Sequence, residues 1–275
     1  DPEGTTSTHA PADVAGNVEV QNKASLVVAG ATDYSSALHV GGDLLVSDES
    51  SLVVADLIAG NNGSTVDVDG NVEFDSTGNI EIINPSGAGL TVGKDLTILQ
   101  GAGTIMGMGG NAILVENGKV YLKGGAFTIL ALPGNTNGTE PCCGIYIKNG
   151  DMVVTGGSNT VLNIGSDDNY AGILIKKVSQ GVGNLLVGDG YLMVVAFNTG
   201  ITVPDGFIIV NDGQLDSVGG YVGIHGKNIV IQGGAVNAFA TGKTDVADKE
   251  ALQKLIAELQ KTHTMEEYIA ILQQI

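Results

Sequence analysis

Apolar and polar residues alternate along this chain in short runs, and the runs return in the same order. Gly223 to Thr241, GIHGKNIVIQGGAVNAFAT, contains three such runs, IHG, NIVI and AVNAFA, separated by turns too small for a helix. Upstream, DVAGNVEV (from Asp13), HVGGDLLV (His39), DVDGNVEF (Asp67) and TVGKDLTI (Thr91) repeat one form: an apolar residue, a turn centred on Gly or Lys, an Asn or Asp, then alternating apolar positions. VENGKVYL (Val115), IKNGDMVV (Ile147) and VPDGFIIV (Val203) continue it with one residue added in the turn, and HGKNIVI closes it. One copy is broken, where ILIKK (Ile173–Lys177) is separated from NLLV (Asn184–Val187) by VSQGVG.

A third run follows each pair, from ASLVVAG (Ala24) through GAFTILA (Gly125) to GAVNAFA (Gly234). Three strands per unit over about nine units, with a period of roughly 23 to 32 residues, describe a three-sided coil. Stacking coils ~4.8 Å apart pairs each backbone group with the coils above and below and buries inward ladders of Val, Ile and Leu. Outward positions such as Glu19, Glu73, Thr97 and Tyr121 then face solvent. Parallel crossovers prefer the right hand. The expected fold is an all-β right-handed parallel β-helix over 13–245, ahead of a sandwich or barrel of short strands, a left-handed hexapeptide helix or a leucine-rich repeat.

The ends read differently. Residues 1–12 are rich in Thr, Ser and Pro and form a linker or an extension over the first coil. No charged and apolar leader opens the chain, so a secreted protein is expected to have lost its signal, and no apolar run is long enough for a membrane span. From about Val246 the period becomes 3.6: Ala251, Leu252, Leu255, Ile256 and Leu259 share one helical face, and Thr264 with Glu267 forms a capping box before Met265, Tyr268, Ile269 and Leu272. Residues 246–275 are expected to be a helical cap on the last coil, or the start of a helical module. Ala247–Leu259, ADKEALQKLIAEL, resembles the opening of the small helical FIVAR repeats of Gram-positive surface proteins.

Charge narrows the partners. The chain has twelve Lys, no Arg and thirty acidic residues, a net charge of -18. Such a surface repels nucleic acid and anionic lipid and suits a secreted protein or one that binds cations. The absence of Arg removes a lyase mechanism with an arginine base. The only adjacent acidic pair inside the coils beyond the amino region, Asp167 and Asp168, has no matching row for a two-carboxylate hydrolase. His39 and His225 hold equivalent positions seven coils apart, roughly 34 Å, so they cannot share a site. No nucleophile, phosphate-loop or metalloprotease motif occurs. Cys142 and Cys143 are adjacent and read as small turn residues, with an exposed thiol or vicinal disulfide as the alternative. No enzyme is expected.

Additions to the coil follow the third strand at Leu57–Ser64, Leu132–Cys143 and Gly165–Tyr170, and a solenoid stacks equivalent turns on one edge. The expected ligand-binding residues are therefore Asn135, Asn137, Glu140, Asp168, Asn169 and Tyr170, with Tyr221 as an aromatic platform and Asp167 and Asp168 as calcium ligands. The competing reading is a set of solvated turns. GIYIKNGDMVVTGG, GITVPDGFIIVNDGQL and GIHGKNIVIQGGAVNAFA resemble the β-helical carbohydrate-binding surface proteins of Clostridia and related gut bacteria, well over about Gly89–Thr241. The resemblance implies an extracellular, non-catalytic module that binds polysaccharide, including acidic glycans through calcium. The alternative is a structural stalk or adhesin segment whose partner is a host or cell-surface protein.

Overall fold

A computed structural model describes residues 11–30, 36–56, 63–132, 141–165, 170–176 and 183–242. Among them every regular element is a strand, and every strand pairing is parallel. The chain is an all-β parallel β-solenoid with three stacks of strands.

The first stack holds Ala12–Val14, Leu38–Val40, Ser64–Val68, Ala88–Val92, Ile113–Val115, Cys143–Ile147 and Ala171–Ile175, then the opening parts of Thr199–Val210 and Val222–Ile231. The second begins with Val18–Val20 and Leu44–Asp48, and the third with Ser25–Gly30 and Ser51–Asp56. Higher up, Val72–Asn84, Leu96–Met108, Met152–Asn163 and Leu185–Ala196 run through the second and third stacks as single bent strands. The first rung is paired only with the second, and the last only with the one before it. About seven turns are thus enclosed on both sides, which differs from the nine coils expected from counting unit markers. The expected C-terminal helices over 246–275 lie outside the described residues, as does the linker up to residue 10.

Alternation puts one side of each strand inside. Leu38, Val66, Leu90, Ile113, Ile145, Ile173 and Ile201 form one continuous ladder in the first stack, all fully buried. Burial of each such side chain contributes about 1.5–3 kcal/mol. Ladder volumes compensate between rungs. Gly103 occupies the inward position between Ile80 and Phe127, and Phe127 stacks on Phe74 with ring centroids 6.1 Å apart.

Two corners are built by specific residues. Between the second and third stacks, Gly101, Gly125, Gly157, Gly190 and Gly234 have positive φ, and Asn22, Lys23 and Asp48 take the same conformation in the first two rungs. Between the third and first stacks, buried Asn side chains satisfy the turning backbone. Asn84 donates to the carbonyls of Gly63 and Ala88 and accepts from the amides of Ser86 and Gly87, and Asn163 donates to the carbonyls of Cys142 and Ala171.

Cys142 and Cys143 are neither exposed nor joined in a disulfide: both are buried, and Cys143 opens the strand Cys143–Ile147 rather than lying in a turn. Burial pushes the Cys143 thiol up to about 12, so it stays protonated and unreactive.

Candidate ligand-binding groove

The turn between the first and second stacks places an Asn or Asp before the second strand of almost every unit, and these side chains are joined. The amide of Asp43 donates to Asn17 Oδ1 at 2.9 Å, that of Asn71 to Asp43 Oδ1 at 2.7 Å, and that of Asp95 to Asn71 Oδ1 at 3.2 Å. Lys119 continues the column as a donor, with its amide 2.7 Å from Asp95 Oδ1. Beyond it the amide of Asn184 donates to Asp151 Oδ1 and that of Phe207 to Asn184 Oδ1, each at 3.0 Å. Each Asx side chain accepts a hydrogen bond from the amide one rung above, at a place where the strand ladder has not yet begun. Lys119 Nζ also lies 3.2 Å from Asp151 Oδ2, and this hydrogen bond holds the ammonium pKa above its ordinary value.

Beside this column the second stack presents Glu19, Leu45, Glu73 and Thr97 outward in register. Together they enclose a shallow groove of about 430 Å³ lined by Asn17, Glu19, Asp43, Asn71, Glu73 and Asp95, with Leu45 and Thr97. Four carboxylates and no cation line it. Acceptor oxygens in a row over four rungs suit hydroxyl donors or cations and repel anions.

Farther along the same face the outward row changes character. Tyr121, Val153, Leu186, Ile209 and Val230 follow one another in register and are all partly exposed. On the first stack, His39 sits between Asp13 and Asp67. Its Nδ1 is 2.9 Å from Asp13 Oδ1 and its Nε2 3.8 Å from Asp69 Oδ2. The hydrogen bond to Asp13, aided by Asp67 and Asp69, raises the imidazole pKa, while burial raises that of the Asp67 carboxyl. A carboxylate, an imidazole and a carboxylate in one row hold a proton well.

Asn135, Asn137, Glu140, Asp167, Asp168 and Asn169 lie outside the described residues, so the expected loop edge and its calcium pair do too. Among the described residues no group of three or more His, Cys, Asp or Glu could hold a metal ion. Tyr170 is 5% exposed, belongs to the interior cluster, and lies so close over Gly165 that a Cβ there would meet its ring. Tyr221 is 60% exposed, as a platform would be. Tyr146 is buried on the outside of the first stack under Lys176 Nζ.

Two features escaped the sequence reading although their signals were present. The Asn or Asp before each second strand marks the hydrogen-bonded column. Asp13, His39 and Asp67 are the first letters of three successive aligned units, so their contact follows from the stacking alone.

No family model matches the chain, and neither a curated protein nor a solved structure does. Fold and site define the class, a parallel β-solenoid with an acidic outer groove.

Proposed function

We propose that this solenoid, wound to the right hand, is an extracellular, non-catalytic polysaccharide-binding module of a secreted or cell-surface protein. The observation that carries the reading is the groove of Asn17, Glu19, Asp43, Asn71, Glu73 and Asp95. Its acceptors lie along the solenoid axis, and a chain of sugar hydroxyls supplies the complementary donors over several rungs. The sign of the groove favours an uncharged glycan there. An acidic glycan would require a bridging cation, for which Asp167 and Asp168 are the proposed calcium ligands, and Asn135, Asn137, Glu140 and Asn169 the proposed glycan contacts.

A second reading, a structural stalk or adhesin segment that meets another protein, is favoured by the apolar outward row from Tyr121 to Val230. Among the described residues no helix is long and apolar enough to cross a membrane.

A glycan array probed with calcium and again with a chelator separates these readings. Binding of neutral glycans under both conditions, lost in Glu19→Ala/Glu73→Ala, is the expected result. Calcium-dependent binding of uronic-acid polymers, lost in Asp167→Asn/Asp168→Asn, would move the site to the loop edge. Silence under both conditions would leave the stalk or adhesin reading.

A further inference from the structure

The two end rungs of the solenoid match. The first, Ala12–Val14, Val18–Val20 and Ser25–Gly30, has a described strand on one side only, and so has the last, in Val222–Ile231 and Ala235–Ala240. Each interior ladder therefore begins and stops at an apolar side chain. Ala12, Val18 and Leu26 begin three of these ladders, and Ile224, Ile229 and Val236 end the same three. In the last rung Ile229 and Ile231 are 48% and 55% exposed, on edge strands whose backbone can pair with a further rung.

The polar columns stop in the same way. Along the Asx column each side chain accepts from the amide one rung above, beginning with Asn17 and the Asp43 amide. Asn228, in register with Phe207, holds this place in the last rung, and no described amide lies above it. A further rung built like the first would supply the amide of Asn17. On the first stack, the row that begins with Asp13 and His39 ends in Thr202 and His225. A first rung set on the last puts Asp13 next to His225, the two groups that lie 2.9 Å apart at Asp13 and His39.

Charge selects the pairing. Residues 222–242 contain His225 and Lys227 and no carboxylate, in a chain of net charge -18. The first rung carries Asp13 and Glu19, and its Lys23 is paired with Glu49. Last rung against last rung would bring two copies of Lys227 to one junction, and first against first would gather the acids. First on last keeps every strand parallel, continues the ladders and joins unlike charges.

We infer that the last rung receives the first rung of a second copy of this chain, head to tail, setting Val18, Val20 and Leu26 on Ile229, Ile231 and Val236. Such a heterologous contact does not close on itself and propagates along the solenoid axis. It carries the Asx column across the junction, and it does not depend on the groove binding a glycan.

Sedimentation of the full chain with one end blocked at a time tests this. Ile229→Lys/Ile231→Lys blocks the last rung, and Val18→Lys/Leu26→Lys the first. The native chain is expected to gain mass with concentration, to about twice that of one chain or more. Each variant alone should stay a single chain, and an equimolar mixture of the two should form dimers. A native chain that stays monomeric at every concentration, as a cap from its own residues would make it, overturns the inference. So does self-association of Val18→Lys/Leu26→Lys, which a contact between two last rungs would produce. Should either variant lose its β-sheet circular dichroism, carbodiimide cross-linking of the native chain decides. Lys227 and Glu19 stand eight strand spacings apart within one chain, about 38 Å, so a link between them forms only across a junction. Links from Lys227 to Glu19 or Asp13 support the assignment, and their absence contradicts it.

Discussion

At the scale of single residues, the Asx column and His39 carry the testable chemistry. Asp151 accepts from the Asn184 amide at 3.0 Å and pairs with Lys119. Asp151→Ala removes both partners and should cost about 1–2 kcal/mol in urea denaturation, whereas Asp151→Asn keeps an acceptor and should cost less than about 0.5 kcal/mol. Equal losses would show that the charge, not the acceptor, matters. For His39 the folded state raises the pKa above 6.5, chiefly through Asp13. The folded protein therefore holds this proton more tightly than the unfolded chain. The resulting stability is fully present below pH ~6.5 and is lost as pH rises through the folded pKa. The carboxyl of Asp67, raised by burial, makes the folded state lose stability as that carboxyl ionises at lower pH, and Asp13 and Asp69 complete the charges facing the ring. An NMR titration of the imidazole should give a raised pKa in the native chain and a fall towards 6.5 in Asp13→Asn; an unchanged value would remove Asp13 as the cause.

At the scale of elements, the corner glycines set where each strand bends. Gly157 has a φ of 76°, and a Cβ there would lie 2.4 Å from the Gly124 carbonyl oxygen. Gly157→Ala should destabilise by about 1–3 kcal/mol in thermal or urea unfolding. Lys23 adopts the same conformation, with a φ of 64°, and gives up only a solvent-exposed pair with Glu49. Lys23→Gly should therefore hold or raise stability by about 0.5–1 kcal/mol. Comparable losses at both positions would mean that the corner is not a left-handed one. These elements were legible in the sequence. The third-strand runs named there fall within the observed third stack, because apolar alternation and Gly punctuation are local signals. The run ILAL at Ile129–Leu132 and LMVVAF at Leu192–Phe197 carried a further signal. They are continuously apolar where alternation was expected, the pattern of a strand buried on both faces.

At the scale of the whole molecule, other features were not readable, for physical reasons. Counting markers counts strands, whereas a turn is enclosed only when rungs lie on both sides, so the terminal rungs inflate the number. The burial of Tyr170 was not readable because its place in a turn says nothing of which side its ring takes. It packs on Gly165, whose missing side chain makes the room. The acidic groove was invisible as a site because Asn17, Glu19, Asp43, Glu73 and Asp95 are scattered over some eighty positions and meet only through the stacking register. Net charge indicated the sign of such a surface but not its place.

The most direct test of a glycan groove on the second face is carboxyl footprinting of the native chain, with carbodiimide and a small amine, in the presence and absence of a neutral oligosaccharide that binds on the array. Selective protection of Glu19, Glu73 and Asp95, with Glu49 and Glu116 unchanged, is the predicted result. Labelling that is unaltered at all five, or protection confined to residues outside the groove, would contradict it.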